Sequence, residues 1–589
     1  MSASSIYNIA PGHSFADTLA KGILAEAGDD PLRLSAYTIL LPNRRAVRTL
    51  QEAFLRLSGE RAILLPRMQP VGDVDADDVA LLLAGDDAAS DVLNVPPAVS
   101  KLERQVLLAR AILKTGKATS FDQAAALALE LGRFLDEIQT EGLSFDGLKN
   151  LVPDEFAGHW QQTLMFLQIL TENWPLILKE RGVIDQAERR NILLAAQVAA
   201  WTKYPPATPV IAAGSTGTVP AAAELLALVA RLPQGRLVLP GLDTLLDDES
   251  WNKLGDDHPQ YNMKRLLGRM GVDRADVQAW PMADATPVNA ARVRLMSEAL
   301  RPAETTEKWR ALTAHDISGR ALDGLTRIDC ATPQEEADVI ALILRETLET
   351  PGKTAALITP DRRLARRVTM SLRRWGIDID DSGGQPLTEL PVGAWLTLTA
   401  EMAEENLAPV SLLAVLKHPM MAAAMPADEL RNRVYALDQL ALRGPRHAGG
   451  FTGLLQAVDG LNDKIADARA SLRAWILQLQ PAMDEFVGLM AGSDDVPFSK
   501  MLTAHIRMGE ALAATETKTG AQRLWQAEAG EAASDYLGLL LAAGRDIPPL
   551  KPAHYVSLLK SLLKSVTVRA RYGTHPRLDR KSTRLNSSH

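Results

Sequence analysis

Tyr37-Thr-Ile-Leu-Leu-Pro-Asn-Arg-Arg-Ala-Val-Arg48 is an apolar run, a proline, an asparagine and then paired arginines. Far along the chain, Ala356-Leu-Ile-Thr-Pro-Asp-Arg-Arg-Leu-Ala-Arg366 repeats the design. Each stretch reads as a short apolar strand, an Asn or Asp suited to cap a helix, and arginines in that helix's first turn. A helix N-terminus carries partial positive charge and unpaired N–H groups, so each cation there is disfavoured by about 0.3–1 kcal/mol. Arg44, Arg45, Arg362 and Arg363 make sense in that place if an anion belongs at the carboxyl end of the strand. Arg48 and Arg366 hold matching positions further along the two helices. The repetition predicts two similar α/β lobes that present guanidinium groups to a phosphate backbone or nucleotide. The plainer alternative is that these are solvated arginines on helices which tertiary packing would hold anyway.

At 589 residues the chain is too long for one core, and about 150 residues per domain suggests roughly four domains. No apolar run approaches the ~18 residues that cross a bilayer, so no membrane association is expected. The N-terminus lacks a basic segment followed by an apolar one, so no secretory leader is expected. The single Cys330 can form no internal disulfide and cannot by itself hold zinc or an iron–sulfur cluster. A reducing cytoplasm fits. The net charge of −8 argues against a globally basic nucleic-acid coat. Clustered arginines leave a local basic channel open.

The first lobe is expected in two parts, residues 1–98 and 204–320, interrupted by a helical insertion at 99–203. Strands are predicted at Ile6–Ile9, Thr38–Leu41, Pro209–Ala213 and Arg236–Leu239, with helices from Phe15 to Glu26 and Pro220 to Leu232. Val47, Leu50, Phe54 and Leu57 fall on one stripe of the helix that opens with Arg44. In the insertion, Phe134, Leu135 and Ile138 belong to one helix, and Trp160, Leu164, Leu167 and Leu170 to another. The second lobe is placed at 321–395, beginning with a strand at Leu325–Cys330. Thr332-Pro-Gln-Glu335 then matches a capping box with proline at the first helical position, and Ala337, Ile340, Ala341 and Leu344 face inward. The arginine-bearing helix carries the stripe Leu364, Val368, Leu372 and Trp375. A further helical insertion is expected at 396–578. Residues 579–589 break abruptly into an aperiodic polar run and read as a non-native tail.

Two such lobes invite a search for a nucleotide site. No Gly-x-x-x-x-Gly-Lys-Ser/Thr occurs. Where that loop would follow the first strand stands Ala10-Pro-Gly-His-Ser14, in which Gly12, His13 and Ser14 are degenerate positions without the phosphate-binding lysine. Gly352-Lys353-Thr354 joins a helix to a strand, the reverse of the required order. The strand ending at Ala213 runs into Gly214-Ser215-Thr216-Gly217, whose hydroxyls suit a phosphate but supply no carboxylate for Mg²⁺. ATP hydrolysis is not expected. Gly214–Gly217 does not meet the Gly-x-Ser-x-Gly pattern of a nucleophile elbow. The acidic group Asp243, Asp247, Asp248, Glu249, Asp256, Asp257 and His258 has no ligand register and reads as a solvated loop. No catalytic or metal-binding residues are assigned.

Ile39-Leu-Leu-Pro-Asn-Arg-Arg-Ala46, Ala213-Gly-Ser-Thr-Gly217, Pro233-Gln-Gly235, Val238-Leu-Pro-Gly-Leu-Asp243, His258-Pro-Gln260, Asp381-Ser-Gly-Gly-Gln-Pro-Leu387, Val568-Arg569 and His575-Pro-Arg-Leu578 together resemble one family. It is the AddB family, double-strand break repair subunits of the bacterial AddAB helicase–nuclease, in its alphaproteobacterial form. The resemblance spans residues 1 to 578. It implies an α/β fold with two RecA-like, superfamily-one helicase-type lobes and large helical insertions, without a functional ATPase site. It implies a cytoplasmic DNA-binding subunit, partnered by an AddA-type motor, that processes broken DNA ends for homologous recombination. Both single- and double-stranded DNA are expected ligands, with Arg44, Arg45, Arg48, Arg362, Arg363 and Arg366 on the phosphates. The family's nuclease domain, with its iron–sulfur cluster and Mg²⁺, would follow Leu578, so no cofactor is expected here. An ATP-dependent helicase with an unorthodox nucleotide site and a non-enzymatic protein-binding scaffold are the alternatives.

Overall fold

The computed structural model describes residues 5–28, 30–59, 62–83, 87–145, 167–282, 287–313, 319–381, 383–569, 575 and 577–581. Six strands form one parallel sheet: β1 (Ile6–Ile9), β2 (Thr38–Leu41), β3 (Arg67–Pro70), β4 (Val210–Ala213), β5 (Gly235–Pro240) and β6 (Gln278–Ala279). Their order is β3-β2-β4-β5-β1-β6, and every pairing is parallel. All six carboxyl ends therefore open along one edge. The alternation of a strand sends successive side chains to opposite faces. Ile9, Ile39, Leu41, Ile211, Ala213 and Val238 pack on one side beneath α1 (Phe15–Ala27) and α2 (Arg44–Ser58). Leu40, Val210, Ala212, Leu237 and Leu239 pack on the other. A parallel sheet covered on both faces suits these near-continuous apolar strands. The stripe expected of α2 holds: Leu50 and Phe54 are buried, with Val47 and Leu57 partly so. β3 and β6 were not legible, since Arg67-Met-Gln-Pro70 has no apolar run and β6 has only two residues.

The helices between β3 and β4 do not form one insertion. α3 (Lys101–Lys114) and α4 (Phe121–Glu141) share a single core with helices beyond residue 387. α5 (Gln186–Lys203) instead covers the sheet through Leu194 and Trp201, beside α6 (Pro220–Val229). The segments expected as two separate insertions thus supply one helical body. Asp546 fastens it by accepting from Arg110 Nη1 at 2.8 Å and Arg181 Nη2 at 2.6 Å. Leu170 is buried in that core; Trp160 and Leu164 lie outside the described residues.

The second α/β unit is smaller than the first. α7 (Pro333–Thr347) forms half of the expected capping box, with Thr332 Oγ1 accepting from Glu335 N at 3.1 Å. Glu335 reaches back to the N–H of Ala331 at 2.9 Å. β7 (Ala355–Ile358), α8 (Arg362–Arg373) and β8 (Asp380–Asp381) follow. β9 (Gln385–Pro386) pairs antiparallel with β10 (Thr567–Val568). In the helical body between them run α9 (Pro391–Glu404), α10 (Phe498–Ala513) and α11 (Tyr555–Lys564). β11 (Leu578–Lys581) inserts parallel between β7 and β8.

Two expectations fail in this unit. Leu325–Cys330 is not a strand; Leu325 and Ile328 are exposed, and among the described residues no neighbouring strand pairs with this segment. Trp375 leaves the apolar stripe of α8, because the helix ends at Arg373 and the ring emerges 39% exposed. Asp579–Lys581, the first residues of the segment read as a tail, lie in β11 beside buried Leu578.

Several motifs that carried the family resemblance turn out to be fasteners. Arg577 donates to the carbonyls of Leu348 at 3.0 Å and Thr350 at 2.9 Å, satisfying the end of α7. Gln260 donates to Gly241 O and accepts from Asp243 N, each at 3.0 Å, while His258 Nδ1 accepts from Gln260 N at 3.1 Å. The loop after β5 is clamped by the His258-Pro-Gln260 turn.

Candidate nucleic-acid interface

At the carboxyl edge of the six-stranded sheet, α2 begins with Asn43, whose Oδ1 accepts from Ala46 N at 2.9 Å. This cap orients the first turn and sets Arg44 over the loop after β3. Arg44 Nη2 meets Asp73 Oδ2 at 2.9 Å, with 83% of the arginine side chain exposed. Arg45 and Arg48 are also exposed, and Arg48 makes no ion pair among the described residues. Gly72 leaves room behind this loop for Arg190, whose Cδ lies 3.3 Å from where a Cβ would stand.

The loops after β1 and β4 meet α2 here. Gly214, at φ +77°, lies against Phe15 at 3.2 Å and Pro42 at 3.6 Å, measured from an added Cβ. An added Cβ would crowd the Phe15 ring, and the positive φ favours glycine. Gly241 likewise abuts Pro11 at 3.2 Å. Thr216 and Thr218 bond through their hydroxyls at 3.0 Å, and Ser215 Oγ lies 3.5 Å from Gly217 N. These hydroxyls are half-buried beside the edge.

The start of α1 is already occupied by the chain's own groups. Ser14 donates to Asp17 Oδ2 at 2.8 Å rather than capping a backbone N–H. Asp17 in turn pairs with Arg56 of α2. A carboxylate therefore sits in the first turn where a nucleotide phosphate would dock. Gly12, at φ +90°, makes the turn; His13 and Ser14 supply no fixed cation.

The second set of arginines is held differently. Asp361 caps α8 by accepting from Arg363 N at 2.7 Å. Arg362 donates to the carbonyl of Gly384, and Arg366 pairs with Glu389. Arg362 thus supports the residue that leads into β9, a role that sequence reasoning missed. Arg363 is exposed and without an ion pair among the described residues. Arg44 and Arg48 share one edge, whereas Arg362, Arg363 and Arg366 belong to the smaller unit.

The acidic group near residue 247 is not simply solvated. Asp247 caps the helix Asp248–Lys253 by accepting from Ser250 N at 3.1 Å, and it accepts from Lys308 Nζ at 2.6 Å and pairs with Arg301. Partial burial pushes its carboxyl up, but the hydrogen bonds from Lys308 and Arg301 hold it well below the usual range. Among the described residues no group of three or more His, Cys, Asp or Glu is placed to hold a metal ion. Among them also, no helix is long and apolar enough to cross a membrane.

No protein-family model matches this chain, and no curated protein matches it.

Proposed function

We propose that this chain is a cytoplasmic, DNA-binding, helicase-like subunit of an AddAB-type complex that processes double-strand breaks for homologous recombination. In this reading its lobes are RecA-like, and an AddA-type subunit supplies the motor. The observation that carries the reading is the carboxyl edge of the parallel sheet. Open α/β sheets bind ligands there. A capped helix presents Arg44 and Arg48 at this edge, while the neighbouring helix start is blocked by Asp17. Guanidinium groups on an exposed edge suit a phosphate backbone, which needs positioning rather than chemistry. Arg363 adds an exposed contact from the second unit, and Arg45, Arg362 and Arg366 complete the set.

The test uses the full chain with labelled single-stranded DNA, a duplex, and ATP. Binding to DNA that weakens with salt, without ATP turnover, is expected. The double substitution Arg44→Ala with Arg48→Ala should flatten the salt slope by about 1.4, near 0.7 for each lost phosphate contact. DNA-stimulated turnover lost on changing residues 10–17 would favour an active helicase instead. Binding to an AddA-type partner without any affinity for DNA would favour a scaffold.

A further inference from the structure

We propose that the groove between α7 and α8 is a separate track for single-stranded nucleic acid, combining a phosphate-binding arginine ladder with a base-stacking tryptophan. Its lining includes Gln334, Asp338, Arg366, Arg367, Met370 and Arg374, around a volume of about 440 Å³. Arg363, Arg367 and Met370 recur at i, i+4 and i+7 on one face of α8, and Arg374, the residue that caps its end, continues the spacing. Arg363 and Arg367 stand about 6 Å apart along the helix axis, close to the spacing of successive phosphates in an extended strand. Both are exposed and form no ion pair among the described residues.

Asp338 on α7 shapes the floor of the groove. It accepts from Ser371 Oγ at 2.7 Å and lies 3.4 Å from Arg374 Nη2. That contact helps turn Arg374 over the Trp375 ring, 4.9 Å from its centre. A large aromatic 39% exposed at the end of a basic ladder is the pairing that single-strand binders use. Every cation on α8 is arginine, whose planar fork grips phosphate through two bonds. A carboxylate-rich peptide would satisfy the arginines but make no use of the exposed part of the tryptophan ring. A duplex, whose bases are already stacked, would leave it idle too.

Only Arg363 and Arg366 are shared with the reading of the sheet edge, and the test uses neither. The full chain is titrated with labelled oligothymidylate as wild type, Arg367→Ala, Arg367→Lys, Trp375→Ala and Trp375→Phe. Arg44→Ala with Arg48→Ala reports on the edge. Circular dichroism and melting confirm folding, which these exposed positions should not disturb. Arg367→Ala should reduce the salt slope by about 0.7, and Arg367→Lys should restore it. Trp375→Ala should weaken binding at least about fivefold with the slope unchanged, and Trp375→Phe should recover most of the affinity. Groove variants that bind oligothymidylate like wild type would overturn the proposal, whatever the edge variants do. Displacement of the oligonucleotide only through the edge residues, or binding of polyglutamate in place of oligothymidylate, would overturn it as well. Weakening by the groove variants alone would sustain it and remove the edge.

Discussion

Arg44 and Asp73 hold each other at the carboxyl edge of the six-stranded sheet, the guanidinium donating through Nε at 3.1 Å and Nη2 at 2.9 Å to one oxygen, Oδ2. A phosphate arriving at Arg44 must displace or share this carboxylate. Asp73→Asn should therefore tighten single-stranded DNA binding by up to about fivefold, the worth of an exposed ion pair. Arg44→Ala should weaken binding and lower the salt slope by about 0.7. Fluorescence titration across a salt series checks both, and unchanged affinity in Asp73→Asn would separate Arg44 from the DNA path.

A buried histidine should make stability fall on the acid side. His505 is fully buried in the helical body, stacked on Phe486 with ring centres 4.6 Å apart. Thr399 donates its hydroxyl to Trp395 O at 2.7 Å, so its oxygen accepts from His505 Nε2–H at 2.8 Å. His505 Nδ1 is left to accept from the Tyr555 hydroxyl at 3.0 Å. The bond from Tyr555 requires an unprotonated Nδ1, and burial holds the ring's pKa down at about 3. The unfolded chain binds the proton more readily, so stability present above about pH 6.5 is lost as pH falls towards 3. The loss approaches about 1.4 kcal/mol per pH unit. Urea unfolding at pH 7, 6 and 5 should show this slope. His505→Gln, whose amide can mimic the donor and acceptor, should remove that share of it.

Gly384→Ala should be costly. Gly384 adopts φ +64°, and an added Cβ would stand 2.6 Å from Thr567 Cγ2 and 2.7 Å from the carbonyl oxygen of Val568. The β9–β10 pairing would have to move, and with it the carbonyl that Arg362 grips. A loss of about 2 kcal/mol or more is expected. Gly352, at φ +76° with nothing within 4 Å, is the control and should lose only about 1 kcal/mol to backbone strain. Equal melting temperatures for the two variants would contradict the steric argument.

Gln260→Ala should destabilise the loop after β5. Its amide answers both Gly241 O and Asp243 N, and leaving such half-buried groups unpaired costs about 1–3 kcal/mol. Faster hydrogen exchange at Leu242 and Asp243 would mark the released loop. A melting curve and exchange pattern like wild type would show that water replaces the clamp.

Much of the edge was legible because it is built from neighbours in the chain. Asn43 and Asp361 bond to N–H groups two or three residues ahead, so a strand, a proline and a cap specify where α2 and α8 begin. The partners of the arginines were not legible. Asp73, Gly384 and Glu389 reach Arg44, Arg362 and Arg366 only after the chain has passed through a further strand.

Periodicity along the chain was enough for β1, β2, β4 and β5 and for the buried stripes of α2 and α7, since each depends on its own alternation of apolar and polar residues. Which surfaces meet depends on contacts between residues far apart in sequence. No local pattern announces that α3 and α4 share a core with helices beyond residue 387. None announces that Leu325–Cys330 finds no strand to pair with while the polar run after Leu578 finds two. Hydrophobic burial has no direction along the chain, and ladder hydrogen bonds ask only for a free neighbouring strand. The capped arginine helices were therefore specified locally, and their neighbours were settled when the sheets and the helical body closed around them.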